Sequence, residues 1–375
     1  MVIMALDHCR DYFHYAALVT DPLDLATTTP VLFFTRWITH LCAPIFVFLS
    51  GVSAWLQSGR KTTRELSIFL ITRGFWLVLI DLFIITLATT ANIFYDTFII
   101  QTLWAIGISM AILGLAIWLP YYLILTIGLV IVLGHNMVDQ LEMQHVGNFP
   151  AWWMLLHKQG SLPLWPGHDL LVFYPFLPWT GLMLLGYCSG KIFTRFEGAK
   201  RQQVLLGTGL GLLFLFATLR FSNWYGDSGP WSVQRDGITS FLSFMNLQKY
   251  PPSLLYMLAT IGICFLCLAL IRKTGSRLSK FFLVFGRVPM FFYVLHFYVI
   301  SFVNLVLFFA RGGSFAEGMI GIPGMPWKFV KAGEGFSLGV VYLIWIVLVL
   351  ALYPLCKRYD QYKTAHPEKK WLSYL

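Results

Sequence analysis

The apolar residues of this chain run in unbroken blocks rather than in stripes. A soluble helix alternates its apolar and polar positions about every 3.6 residues, because one face must meet water. Here windows of 18 or more residues pass with almost no charge, and each is long enough to cross about 30 Å of hydrocarbon. Ten blocks are predicted as spans, at 1–18, 38–56, 67–90, 101–118, 121–137, 170–189, 203–221, 252–271, 281–309 and 336–356. The ninth is long, and Gly286 and Pro289 predict a tilt or a break within it. The pattern therefore predicts an all-α fold, a polytopic transmembrane helix bundle of about ten spans, with residues 1–375 forming one integral-membrane domain.

Composition sharpens this reading. Of the 375 residues 58% are apolar and only 12% are charged, against about 25% charged in soluble domains. The net charge of +10 comes in short basic clusters between apolar blocks. Such clusters act as orientation signals and contacts to anionic lipid, whereas nucleic-acid binding needs a continuous basic face and is not expected. With the N-terminus inside, loops 57–66, 190–202, 272–280 and 357–375 carry 16 Lys and Arg, and the longer outside loops carry seven. The positive-inside rule thus places both termini in the cytoplasm.

The six cysteines lie in or beside apolar blocks, and Cys264 and Cys267 form a CxxC in the middle of a span. With no second CxxC and no nearby histidine, they read as small packing residues. The nine histidines show no metal-ligand spacing, and no metal site is expected. No signal peptide with a cleavage site is visible. The outside loops 138–169, 222–250 and 311–335 are rich in Trp, Gly, Pro and His, as in NFPAWWMLLHKQGSLPLWPGH. Their aromatics suit an interfacial belt, with a sugar-stacking rim as the alternative.

Chemistry concentrates in the first segment, MALDHCRDYFHY, which carries Asp7, His8, Arg10, Asp11 and His14. Positions 7, 10, 11 and 14 follow the i, i+3, i+4, i+7 pattern and share one helical face. Lipid does not tolerate that stripe, since one ionised group at mid-bilayer costs at least about 2.5–3.5 kcal/mol. It must face the bundle interior or water. One reading is a general base, His14, set by a carboxylate; the other is a neutralised Asp–Arg–Asp network that pins the helix. Further candidates are Arg36 and His40 in RWITHLCAP, Arg73 with Asp81 eight residues later, and Arg287 and His296 in FGRVPMFFYVLHFY. Arg287 sits among Arg272, Lys273, Arg277 and Lys280, a cationic mouth suited to the phosphates of a nucleotide-bearing donor.

The motifs MALDHCRDYFH, DPLDLATTTPVLFFTRWITHLCAPIFVFLSGVSAWL, FLITRGFWLVL, QTLWAIGISM, YPFLPWTGLMLLGYCSG, KYPPSLLYML, FGRVPMFFYVLHFY and the terminal WLSYL resemble the bacterial DUF1624 membrane proteins. These are grouped with the catalytic domain of heparan-α-glucosaminide N-acetyltransferase. Members of the family usually carry a basic stretch and a D-x-x-R-G motif just before this first segment. Only six apolar residues precede Asp7 here, so a further upstream segment is expected. The resemblance implies a transmembrane acyltransferase that takes acetyl groups from cytosolic acetyl-CoA to an amino sugar across the membrane. The eukaryotic enzymes use a histidine, with an asparagine a short stretch earlier. Asp7 occupies what looks like the asparagine position, and His14 is the nearest candidate for the histidine, with His8 as its rival.

The leading expectation is transfer from cytoplasmic acetyl-CoA, or another acyl-CoA, to a hydroxyl or amine of a glycan-type acceptor. His14 would be the base and Asp7 its orienter. Arg287 and Arg73 would bind the CoA phosphates, while His8, Arg10, Asp11, Arg36, His40 and His296 are further catalytic or substrate-binding candidates. The partners are then the lipid bilayer, the acyl-CoA and the acceptor, in a bacterial cytoplasmic membrane. The oligomeric state stays open. The rivals are a proton-coupled transporter that uses the same residues as a relay and a non-catalytic scaffold.

Overall fold

Local sequence rules place the helix ends before packing enters. Thr62 and Glu65 form a reciprocal capping box. Ser253 and Ser276 cap the helices that follow them, and Pro289 starts a helix at a position where no amide donor is needed. The computed structural model describes residues 1–271, 275–322, 324–369 and 371–372. Arg272 and Lys273 of the expected cationic mouth, and Lys370, Ser373, Tyr374 and Leu375 of the tail, lie outside the described residues.

The chain begins with α1 (Val2–Phe13), α2 (Pro30–Thr39), α3 (Cys42–Ser58) and α4 (Thr63–Leu79). A π-helical turn at Ile80–Ile85 leads into α5 (Thr86–Thr90), β1 (Thr97–Ile100), α6 (Thr102–Ala116) and α7 (Tyr121–Gly134). Next come α8 (Asp139–Gln144), α9 (Ala151–Leu156), the strands β2 (Gly160–Trp165) and β3 (His168–Val172), and α10 (Phe176–Ser189). The rest is helical: α11 (Lys191–Arg195), α12 (Gly198–Ser222), α13 (Gly237–Met245), α14 (Leu254–Leu270), α15 (Arg277–Arg287), α16 (Pro289–Ala310), α17 (Phe315–Ile320) and α18 (Leu338–Ala365).

Among the described residues six helical stretches are long and apolar enough to cross a membrane: 30–58, 63–90, 121–144, 198–222, 289–310 and 338–365. α6 and α14 are apolar but shorter, at 15 and 17 residues. The expected first span is corrected most. α1 has 12 residues, about 18 Å of helix against about 30 Å of hydrocarbon. The sixth block also starts later than expected, because 168–172 is the second strand of a hairpin and the helix begins only at Phe176. β2 and β3 pair antiparallel with Gly160 opposite Val172, and the strand order is β1-β3-β2. The ninth block breaks where expected: Val288 leaves helical geometry at φ −125°, ψ 51°, ahead of Pro289. The outer faces remain apolar, with Leu343, Ile346, Val347 and Leu350 of α18 exposed. Water would not tolerate such a stripe, and acyl chains favour it.

The chain divides into two compact units. The first comprises Met1–Cys42, Phe83–Phe98 and Lys273–Leu375. There α1 packs against α2, α16 and α18. Ala5, Cys9 and Phe13 of α1 enter a core with Phe285, Phe292, Ile300, Val341 and Leu352. Trp345 Nε1 donates to the Val2 carbonyl at 2.8 Å, and the Tyr12 hydroxyl donates to that of Thr89. An apolar face thus holds α1, which leaves its polar face turned to other protein groups.

The second unit comprises Ala43–Leu82 and Ile99–Arg272. Its helices approach closely through glycine, the usual way to gain dispersion contact where lipid offers no hydrophobic drive. A Cβ on Gly74 would stand 2.4 Å from the Gly107 carbonyl of the facing helix, and one on Gly186 would stand 2.2 Å from that of Phe48.

Candidate active site

Along α1 the polar stripe is neutralised by its neighbours. Asp7 receives Arg10 Nη2 at 2.9 Å from one turn on, and Arg36 Nη1 at 2.6 Å from α2. Arg10 also pairs with Asp11. Two carboxylates and two guanidiniums therefore sum to zero, with the Asp7 and Arg10 side chains 10% and 3% exposed. Burying these ions is tolerable only because each charge finds its opposite.

His14 is not on the helix. α1 ends at Phe13, and His14 takes an extended conformation, φ −80°, ψ 136°. There it pairs with Phe336: the Phe336 amide donates to Phe13 O at 2.7 Å, and the Tyr15 amide donates to Phe336 O at 3.1 Å. Gly335 permits this, since a Cβ there would stand 2.6 Å from the Tyr15 nitrogen. The expected shared helical face is corrected accordingly: Asp7 lies on α1 and His14 just beyond its end. His14 Nδ1 accepts from the Ala16 amide at 3.3 Å. It lines a cleft of about 280 Å³, open mouth included, with Arg10, Asp11, Leu18 and Thr20. A neighbouring cleft of about 380 Å³ shares Asp11 and Leu18 and adds Tyr12, Asn304, Arg311, Lys331 and Glu334.

His8 points elsewhere, lying 4.2 Å from the Phe297 ring and 5.3 Å from the His296 ring by centroid. His296 is fully buried, and its Nδ1 is 3.0 Å from the Phe292 carbonyl. A carbonyl only accepts, so Nδ1 carries the proton and Nε2 the lone pair. That Nε2 meets no hydrogen-bond partner among the described residues. In His14 the proton is set the other way, because Nδ1 is the acceptor.

Residues 2–219 match the family model described as heparan-alpha-glucosaminide N-acetyltransferase, catalytic. The chain belongs to this family. It is thus an integral membrane protein of a transmembrane acetyltransferase family. Comparison with curated proteins finds no match, and comparison with solved structures finds none. The family match spans α1 to α12 and takes in Asp7, His8, His14, Arg36, His40 and Arg73, while Arg287 and His296 lie beyond it.

The remaining candidates separate. His40 is buried at the end of α2, 1% exposed. Arg287 ends α15, is 64% exposed and stands 3.5 Å from Asp360 of α18. Arg73 belongs to the second unit, with its guanidinium 5.7 Å from the Phe69 ring centre. Asp81 serves the backbone. Its Oδ2 accepts from the amides of Gln101 and Trp104 at 2.6 and 2.9 Å, capping α6 from the π-helical turn. Cys264 is buried and Cys267 exposed on α14, both as free thiols.

Sequence reasoning passed over three features. Tyr12 and Asn304 help to wall the second cleft. Gly335 lets the chain pass His14. In the second unit, Asp139, Glu142 and His157 draw together although 15 residues separate the last two. The only local signal was the i, i+3 spacing of the two acids.

Proposed function

We propose that this chain moves an acetyl or other acyl group from cytoplasmic acyl-CoA to a hydroxyl or amine of a glycan-type acceptor on the far side of the membrane. Family membership supports the reaction class. The observation that carries the site is His296, whose Nδ1 is committed to a backbone carbonyl while its buried ring lies 5.3 Å from the His8 ring of α1 by centroid. A histidine so fixed carries its lone pair on Nε2, the neutral form that a general base needs.

In the reaction, the acceptor nitrogen or oxygen bonds to the thioester carbonyl carbon as its proton passes to the base. The tetrahedral intermediate then collapses, the C–S bond breaks, and the proton returns to the CoA thiolate. His296, with His8 against it, takes the proton in this reading. His14 and Asp11 hold the acceptor at the cleft mouth, and Asp7 with Arg10 and Arg36 fixes α1 between them. Arg287 and the basic residues near it receive the CoA phosphates.

The topology in this reading has ten crossings and both termini in a bacterial cytoplasm, with α6, α10 and α14 supplementing the six longer stretches and the short α1 crossing together with the irregular segment that follows it. The irregular segment after α1 is admissible at membrane depth because it lines a cleft.

The test is release of free CoA by purified protein given acetyl-CoA and glucosamine-type or hydroxyl acceptors. Acceptor-dependent release is expected, lost by at least about 100-fold in His296→Ala, as for removal of a general base. His14→Ala is expected to raise the acceptor KM and to retain acetyl-CoA binding. Full turnover in His296→Ala with loss in His14→Ala would return the base role to His14. Uptake of a solute into proteoliposomes without any acyl donor would favour a transporter instead.

A further inference from the structure

In the second unit, ligating side chains gather where α7 ends. Asp139 opens α8, Glu142 follows one turn later, and His157 closes α9. One ligand atom from each lies within 4.8 Å of the other two. The three residues are 8%, 7% and 0% exposed. His157 Nδ1 is 2.8 Å from Glu142 Oε1, and its Nε2 is 3.2 Å from Nδ1 of buried His135. Trp153 Nε1 donates to Glu142 Oε1 at 2.7 Å, Lys158 Nζ approaches Glu142 Oε2 at 3.4 Å, and Asn136 donates to Asp139 at 2.8 Å.

Two carboxylates face one lysine and the imidazole of His157, and Asp139 accepts from a neutral amide. Acids held this close repel, so a proton on one of these three residues or a shared cation must offset their charge. The ligand set decides which cation suits: one imidazole nitrogen with carboxylate oxygens favours a transition metal over Mg²⁺ or Ca²⁺. His135 completes the arrangement. With a metal on Nδ1 of His157, the Nε2–H donates to His135 Nδ1, the outer hydrogen bond that fixes ring orientation in metal-bound histidines.

We propose that Asp139, Glu142 and His157 bind one divalent transition-metal ion, Zn²⁺ ahead of Mn²⁺, and that the ion ties α8 to α9. Each of these helices has six residues, too few to hold their shape alone. Metal–ligand distances of about 2.0–2.2 Å require the His157–Glu142 gap to open by roughly half an ångström. The proposal is independent of the acyl-transfer reading, because its site contains none of the residues placed in that reaction.

The experiment uses the full chain purified in detergent, stripped with a chelator and reloaded with ZnCl₂ or MnCl₂, with metal content and melting temperature measured. About one Zn²⁺ per chain and a raised melting temperature are expected. Asp139→Asn, close in shape and uncharged, is expected to weaken binding by about tenfold or more, as is Glu142→Gln, while Lys158→Ala retains the ion. Should His157→Ala fail to fold, the two carboxylate variants still decide. A wild-type protein that takes up no metal, or carboxylate variants that bind as well as wild type, would overturn the assignment.

Discussion

Arg36 Nη1 lies 2.6 Å from Asp7 Oδ2 and so joins α2 to α1 through a charge that α1 cannot neutralise alone. Remove the acid and two guanidiniums converge on a place that has lost their shared carboxylate. Asp7→Asn is therefore expected to cost about 3–5 kcal/mol, the range for breaking one side of a buried pair. The double variant Asp7→Asn/Arg36→Gln restores neutrality and should recover at least half of that loss. Denaturant unfolding of the four members of this cycle in detergent measures it. Strictly additive losses would show that the two residues act separately.

Gly335 decides where His14 sits. A side chain there would press within 2.6–2.7 Å of the His14 and Tyr15 backbone, and backbone yields less readily than the tip of a flexible side chain. Gly335→Ala is expected to destabilise by about 1–3 kcal/mol, the overpacking range, and to raise the acceptor KM more than it lowers kcat. An unchanged KM would separate His14 from the acceptor.

What the sequence made legible follows the range of the forces involved. Asp7, Arg10 and Asp11 were readable as one face because helical periodicity is local, and an equally local signal, Gly286 with Pro289, located the break. His14 was misplaced because its conformation is set by Phe336, a partner about 320 residues away that leaves no trace in the local pattern. Asp81 stood out in the sequence only as an ionisable residue two turns from Arg73, yet its Oδ2 caps the main-chain amides of Gln101 and Trp104, and amides have no sequence signature. The grouping of Glu142 with His157 depends on how the chain turns between α8 and α9, which composition does not encode.

Two exposed caps predict how acid acts on the loops. The Asp236 carboxylate accepts from the Thr239 amide at 2.8 Å, and Glu317 accepts from the Ser314 amide at 2.8 Å. These backbone bonds, with the adjacent hydroxyl bonds, hold both carboxyls below their ordinary values. A depressed pKa stabilises the folded form above the ordinary value, and that contribution fades as pH falls through the lowered one. Amides of 237–245 and 315–320 are thus expected to lose exchange protection below about pH 4, beyond the intrinsic rate change, before the spans do. Protection unchanged to about pH 2 would assign those segments to packing alone.

Arg220 supplies the last prediction. It is 1% exposed near the end of α12. Its Nε donates to Phe244 O at 2.9 Å, Nη1 to Gly229 O at 2.7 Å, and Nη2 to Ser243 O and Asn246 O at 2.9 and 2.7 Å. Four carbonyls from the 229–246 segment thus converge on one planar fork. Lysine offers the same charge but a single ammonium, which cannot span carbonyls placed on different sides of a guanidinium. Arg220→Lys and Arg220→Met are both expected to cost about 3 kcal/mol or more, since carbonyls losing their donor stay buried. Limited proteolysis should then cut within 222–250 well before any span opens. A lysine variant as resistant as wild type would mean that the charge, and not the fork, holds the loop.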